Sequence, residues 1–304
     1  MTATRVLPPQ PRHATSALML PFAKMNGAGN SILVVDERGR APELTGDMAR
    51  DLCRGPLAFE QMMIVSDATT PGVDAAVRIF NTDGSPAGAC GNGTRCVAWF
   101  IDEGRTAATG AGRVLALDVC GTPVTCRRDG TLDFTIDMGR PYFDWGDIPL
   151  REPADSLHLD LGEALAGTGL APPAAVSMGN PHVVFFVPDA AAIDLPALGS
   201  RFERHPIFPD RANVSFAEVR GPGDILLRVW ERGAGATLAC GSAACATLAA
   251  AARRGLTGRS ASVTLPGGKL DIAWEANGHI MMSGPVALEH RGRLDPRTGD
   301  VAPW

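Results

Sequence analysis

RIFNTDGSPAGACGNGTRC (78–96) and RVWERGAGATLACGSAAC (228–245) share one frame: an arginine opening a β-rich run, a Gly-rich turn, then Ala-Cys-Gly leading into a Pro-free segment. Arg78 and Arg228 stand 150 positions apart, and so do Cys90 and Cys240. The offset recurs upstream, where Asn30 in MNGAGNSILVVD (25–36) matches Asn180 in VSMGNPHVVFFVPD (176–189). Downstream the register drifts by a few residues, and DGTLDFTIDMGRP (129–141) resembles NGHIMMSGP (277–285). A period this long exceeds the roughly 20–50 residues of solenoid repeats, so the reading is two similar domains from an internal duplication. The expected division is a disordered extension at 1–17, an N-terminal half at 18–138 carrying Cys90, and a C-terminal half at 139–285 carrying Cys240. RPYFDWGDIPLREP (140–153) has the Pro and Gly density of a crossing linker. The last residues, RGRLDPRTGDVAPW, look like a tail, with 286–304 also able to join the N-terminal half as a strand.

Composition narrows the class of function. The 304 residues are 45% hydrophobic, enough for two ordinary cores. A formal net charge of -5 gives no cationic excess to attract nucleic acid or anionic lipid. No apolar run reaches the roughly 18 residues of a spanning helix, so no membrane partner is expected and the protein reads as soluble. Two Pro clusters interrupt MTATRVLPPQPRHATSA, which therefore does not read as an export signal. Seven cysteines without a C-x-x-C spacing suggest reduced thiols in a cytoplasm and no zinc site.

Within each half, short β-rich runs (ILVVD, QMMIVSD and AAVRIF; VVFFV, VSFAEV and ILLRVW) are separated by Gly, Pro and Asp turn signals. After each Cys-Gly the pattern becomes helical, in NGTRCVAWFIDEG and SAACATLAAAARRG, and stops at a glycine. Strands and hairpin turns then return. The expected class is α+β: two pseudo-symmetric domains, each a β-barrel-like sheet wrapped around one buried α-helix.

Cys90 and Cys240 fall where a turn becomes a helix N-terminus, a place whose free N–H groups and positive dipole end are expected to lower a thiol pKa from about 8.5. The following glycines, Gly91 and Gly241, would let a carboxylate approach those N–H groups. Two halves facing across a cleft would aim the sulfurs at opposite faces of one bound molecule, the geometry for inverting a carbon by removing a proton on one side and supplying one on the other. That implies racemisation or epimerisation of an amino acid with no cofactor. Pyridoxal phosphate chemistry would need a Schiff-base lysine, and only Lys24 and Lys269 exist, neither beside a phosphate cup.

At these residues the sequence resembles the diaminopimelate epimerases. The blocks FAKMNGAGN, FEQMMIV, RIFNTDGS, ACGNGTRC, SMGNPH, RANVSF, ERGAG, ACGSAAC and LPGGKLDI occur in the family's order across nearly the whole chain. The resemblance implies the same two-domain fold with its site in the cleft, and interconversion of LL- and meso-diaminopimelate in bacterial lysine and peptidoglycan precursor synthesis. It implies Cys90 and Cys240 as the proton-transferring thiols. Gly91, Asn92, Gly241 and Ser242 would cradle the reacting carboxylate and amine, with Asn30, Gln61 and Glu231 completing that end. Asn81, Asn180, Asn213 and Arg232 would hold the distal amino-acid head, amides both donating and accepting and Arg pairing with carboxylate. No metal is expected. A homodimer is a base-rate expectation only.

The first loop departs from the family pattern at Asn26, Ala28 and Ser31, which puts its closure over substrate, and hence rate, in question. Cys53, Cys96, Cys120, Cys126 and Cys245 read as packing. His182 reads as a hydrogen-bonding residue behind the site, and His205 is assigned nothing. Three alternatives are weighed against the epimerase: a proline or hydroxyproline racemase of the same architecture, which leaves Arg232 and four asparagines unexplained; a redox switch closing a Cys90–Cys240 disulfide; and a non-catalytic binding module, which would be expected to have lost one cysteine.

Overall fold

In the computed structural model, which describes residues 19–41, 43–103 and 112–304, strands and helices follow the duplicated order. The extension expected at 1–17 lies outside the described residues. The first series is β1 (Leu20–Gly27), β2 (Asn30–Asp36), α1 (Gly46–Leu52), β3 (Gln61–Ser66), β4 (Ala75–Asn81), α2 (Gly91–Glu103), β5 (Val114–Val119), β6 (Thr122–Arg128) and β7 (Asp133–Asp137). The second is β8 (Ala174–Ser177), β9 (Pro181–Phe186), α3 (Leu195–Glu203), β10 (Asn213–Gly221), β11 (Asp224–Glu231), a short β12 (Gly235–Thr237), α4 (Gly241–Arg253), β13 (Ser260–Leu265), β14 (Gly268–Trp274) and β15 (Ile280–Pro285). Neighbour pairings from β1 to β7 run antiparallel, parallel, antiparallel, parallel, antiparallel, antiparallel. Leaving aside β12, the pairings from β8 to β15 repeat that order.

The β-rich runs ILVVD and QMMIVSD are strands covered on both faces. In β2 and β3, Ile32, Val34, Met63 and Val65 point to the inner core, while Leu33, Val35, Met62 and Ile64 point outward to a cluster under α1. Side chains alternate across a strand, so two buried faces leave no polar position in the run. In the second half, Phe185, Val214 and Phe216 fill the corresponding outer cluster with Phe202 of α3.

Each inner face wraps a helix. α2 packs on β1, β2, β3, β6 and β7, and α4 on β8, β9, β10, β13, β14 and β15. Ala243, Ala244, Ala246, Ala249, Ala250 and Ala251 of α4 are all fully buried, and their small side chains admit the strands close to the helix axis. The chain leaves α4 through Gly255 at φ 68°, the left-handed conformation that glycine adopts without a Cβ penalty. The two halves join where β7 pairs antiparallel with β15, Asp137 opposite Met281 and Asp133 opposite Pro285. Equivalent strands thus meet along a pseudo-twofold seam. The class is α+β, with the sheet-wrapped helices expected from sequence.

The tail reading of the last residues is corrected. β16 (Ala287–Leu294) pairs with β1 along its length, and β17 (Val301–Pro303) pairs with the end of β16. Its exposed run ALEHR hides the signal, because only near its end does a side chain turn inward, Leu294 entering the outer core of the first half. No helix among the described residues is long and apolar enough to cross a membrane.

Candidate active site

Both cysteines sit where the sequence places them, immediately before α2 and at the N-cap of α4. The Gly93 N–H donates to Cys90 Sγ at 3.2 Å and Asn30 Nδ2 approaches it at 3.6 Å. Cys240 Sγ lies 3.6 Å from Ser242 Oγ, with the Ala243 N–H and the Glu231 carboxyl as its other polar neighbours. The expectation of lowered thiol pKa is overturned. Burial pushes Cys90 up to about 11, with Glu231 adding to the rise while the Gly93 N–H and Arg95 act against it. Cys240 is raised well above its ordinary value by burial and then by Glu231. Helix-end amides favour a thiolate, but in this floor the loss of hydration outweighs them. Burial likewise raises the Glu231 carboxyl, whose Oε1 accepts from Thr237 Oγ1 at 2.5 Å. That one carboxyl acts on both sulfurs places the two thiols in a single electrostatic site.

The glycines after the cysteines both lie against one side chain of the seam. A Cβ on Gly91 would stand 2.5 Å from Met282 Cε, and one on Gly241 would stand 2.8 Å from Met282 Sδ. Met282 of the seam strand therefore packs against the starts of both helices and brings them together. Asn92 is buried beside them, its Oδ1 accepting from Arg95 Nη2 at 2.9 Å.

Asn30, Gln61 and Asn81 gather at one end of β2, β3 and β4, with Gln61 opposite Asn81. Gln61 Nε2 donates to Asn81 Oδ1 at 3.2 Å, and Asn81 Nδ2 donates to Ser85 Oγ at 3.1 Å. Asn30 Oδ1 and Gln61 Oε1 are buried acceptors with no partner. Orphaned acceptors in a protein interior are costly, and an ammonium group would satisfy both.

On the other half, Asn180 Oδ1 lies 2.9 Å from His182 Nε2, so His182 orients Asn180 as expected of a residue behind the site. Burial, then the Arg232 charge, drives His182 down to about 3, leaving a neutral ring. The Asn213 amide is spent within the fold: Nδ2 donates to the Pro181 carbonyl at 3.2 Å and Oδ1 accepts the Arg232 N–H at 3.0 Å. Asn213 thereby holds the backbone that presents Arg232, whose exposed guanidinium donates through Nη1 to the Asp210 carbonyl at 3.0 Å. A cavity of about 300 Å³ opens here, lined by Tyr142, Ser177, Asn180, Asp210 and Arg232 among others, and it does not reach either thiol.

Two segments of the chain, 22–143 and 174–289, match the family model described as diaminopimelate epimerase. Relatives named diaminopimelate epimerase include one from Methylocella silvestris, 51% identical over 90% of this chain and 94% of its own length. Another, from Phenylobacterium zucineum, is 46% identical over 92% and 99%. The chain belongs to the diaminopimelate epimerase family. Solved structures extend the fold likeness further. A PhzF-family phenazine biosynthesis protein of Enterococcus faecalis superposes with a TM-score of 0.65 at 16% identity, over 90% of this chain and 98% of that one. A hydroxyproline epimerase of Agrobacterium vitis gives 0.60 at 15%, over 92% of each chain.

Within this diaminopimelate epimerase-family fold, the loop departures are absorbed locally. Asn26 Oδ1 accepts the Gly29 N–H at 2.7 Å and closes the β1–β2 turn. Ser31 takes a hydrogen bond from Lys24, which is also paired with Glu289, and donates its N–H to Glu60. Three residues bearing on the site escaped sequence reasoning: Thr237, which holds Glu231; Tyr142, which lines the distal cavity; and Arg95, which holds Asn92. Thr237 and Tyr142 give no sequence signal beyond proximity to a motif. Arg95 gives one, a cation in the middle of a helix that is otherwise buried.

Proposed function

We propose that this chain interconverts LL- and meso-diaminopimelate without a cofactor, Cys90 and Cys240 acting from opposite faces of the α-carbon. The observation that carries the reading is the pairing of the two thiols: each stands at the start of a buried helix, the helices are pseudo-symmetric, and both starts meet at Met282. One sulfur, as thiolate, takes the α-proton. The other, as thiol, gives its proton to the opposite face, and the roles reverse for the opposite isomer. Atoms balance because one proton leaves and one arrives.

Burial keeps both thiols protonated in the free enzyme at neutral pH, so thiolate formation belongs to the substrate complex. Glu231, the carboxyl beside Cys240, is the group placed to receive that proton. Asn30 and Gln61 supply acceptors for the reacting ammonium, and the amides at the helix starts supply donors for the carboxylate. Asn81, Asn180 and Arg232 would hold the distal head, with Asn213 acting through the Arg232 backbone. The division at 139, with the last strands counted in the N-terminal half, belongs to the same reading. So does a reducing cytoplasm, supported by seven free cysteines. A homodimer remains part of it only as the base-rate expectation.

The test is incubation of the reduced protein with LL-diaminopimelate in D₂O, with no pyridoxal phosphate. Appearance of the meso isomer with deuterium at the α-carbon is the expected result. Exchange of proline in place of diaminopimelate would move the chain to the racemase alternative, and activity that required added pyridoxal phosphate would end the two-thiol mechanism.

A further inference from the structure

Among the described residues, Arg95 is the largest side chain with no solvent exposure at all. It projects from the second turn of α2 beneath the seam, where a Cβ on Gly284 of β15 would lie 3.4 Å from both its Cζ and its Nη2. Its counterpart at the 150-residue offset is Cys245 of α4, so duplication has left a cation in one half facing a small neutral thiol in the other. Of its three nitrogens, Nη2 donates to Asn92 Oδ1, while Nε and Nη1 are buried with no partner. The titratable groups around it are four thiols, Cys90 before α2, Cys96 within α2, Cys126 on β6 and Cys245 on α4. Cys90 in turn faces Arg95 and, from the end of β11, Glu231.

A guanidinium buried without a counter-charge is a poor structural device, because an apolar side chain of similar length would fill the space with no desolvation cost. Among the described residues, the only group it grips belongs to the helix start beside Cys90, and the oxygen it grips lies close to Gly241 of the opposite helix, 3.7 Å from a Cβ built there. We infer that Arg95 is a positioning residue of the two-thiol centre: it clamps Asn92 Oδ1, leaving Asn92 Nδ2 to donate to the reacting carboxylate, and its uncompensated charge favours the Cys90 thiolate. The inference rests on the two-thiol reading, yet its second half, the effect of Arg95 on Cys90, concerns the free enzyme and can be tested without substrate.

The experiment compares Arg95→Met, Arg95→Gln and Arg95→Lys with the unaltered chain, reduced and substrate-free. Iodoacetamide labelling at fixed pH is followed peptide by peptide, and epimerisation is measured on the same preparations. The neutral variants should label Cys90 at least tenfold more slowly, with Cys53 unchanged as the internal control and Cys96 and Cys126 still protected. Arg95→Lys should restore the Cys90 rate to within about threefold, and its kcat should recover more than its KM. Wild-type Cys90 labelling in a folded neutral variant would overturn the inference, whatever the epimerase activity. So would labelling of Cys96 and Cys126 in the neutral variants, which would make Arg95 a structural residue. Absence of epimerisation by the unaltered chain would instead refute the function proposed above while leaving the labelling result to decide the role of Arg95.

Discussion

Cys90 and Cys240 meet two opposing influences at the scale of single atoms. A helix start offers a thiolate ~0.3–1 kcal/mol in ordinary settings, whereas removing a charge from water costs several kcal/mol. Burial therefore wins, and both thiols are raised above their ordinary value. This makes the pair complementary: neither sulfur can perform both halves of an inversion from one side. Cys90→Ala and Cys240→Ala should each lower epimerisation by ~10²–10⁴-fold or more, the range for a lost acid or base. Stereoisomer ratios would measure the loss, and an unchanged unfolding midpoint would show that the fold had survived. Near-normal turnover in either variant would remove the two-thiol mechanism. The cysteines were legible in the repeat, and Glu231 and the amide set in the motifs that resemble the family. Their protonation was not, because solvation depends on what the other half of the chain packs above them.

The element that couples the halves over the site is the β1–β2 turn. Ala28 sits at φ 55° and Gly29 at φ 95°, and the turn leans on the glycine pair between β13 and β14. A Cβ on Gly29 would come within 2.4 Å of Gly267 Cα, and one on Gly267 within 2.6 Å of the Ala28 carbonyl oxygen. Two backbones meet there with no room for a side chain, next to Asn30 and its contact with Cys90. Gly267→Ala must push the turn away, costing ~1–3 kcal/mol as overpacking does. Because the displaced turn carries Asn30, kcat should fall more than the stability loss alone explains, read from kinetics alongside urea unfolding. A variant with wild-type kinetics would mean that the turn and the site are uncoupled. The sequence marks both segments as turns, GAGN and PGG, but their meeting joins residues more than two hundred positions apart and leaves no local pattern.

At the scale of the whole molecule, β16 ties the end of the chain back to its beginning. β16 covers the edge of β1 opposite β2, and Leu294 joins Leu20 and Phe22 in the outer core of the first half. Ending the chain at Pro285 would expose the β1 edge and remove a fully buried leucine, a loss of ~2–5 kcal/mol for the side chain alone. A lowered denaturation midpoint, with association through the bared edge on gel filtration, is the expected outcome. A truncated chain with the full-length midpoint and size would return these residues to the status of a tail.

The sequence by itself determined the duplication, the two sheet-wrapped helices, the α+β class and the residue types of the site. Those features are written in local periodicity, in a repeat whose offset holds at 150 through both cysteines, and in motifs that resemble the family. Only the tertiary structure decided that the helix starts meet at Met282, that Glu231 stands beside Cys240, that Arg95 is buried with no counter-charge among the described residues, and that β16 belongs with β1. Each of these is a contact between distant parts of the chain, and its energy comes from desolvation and close packing, which no window of sequence contains.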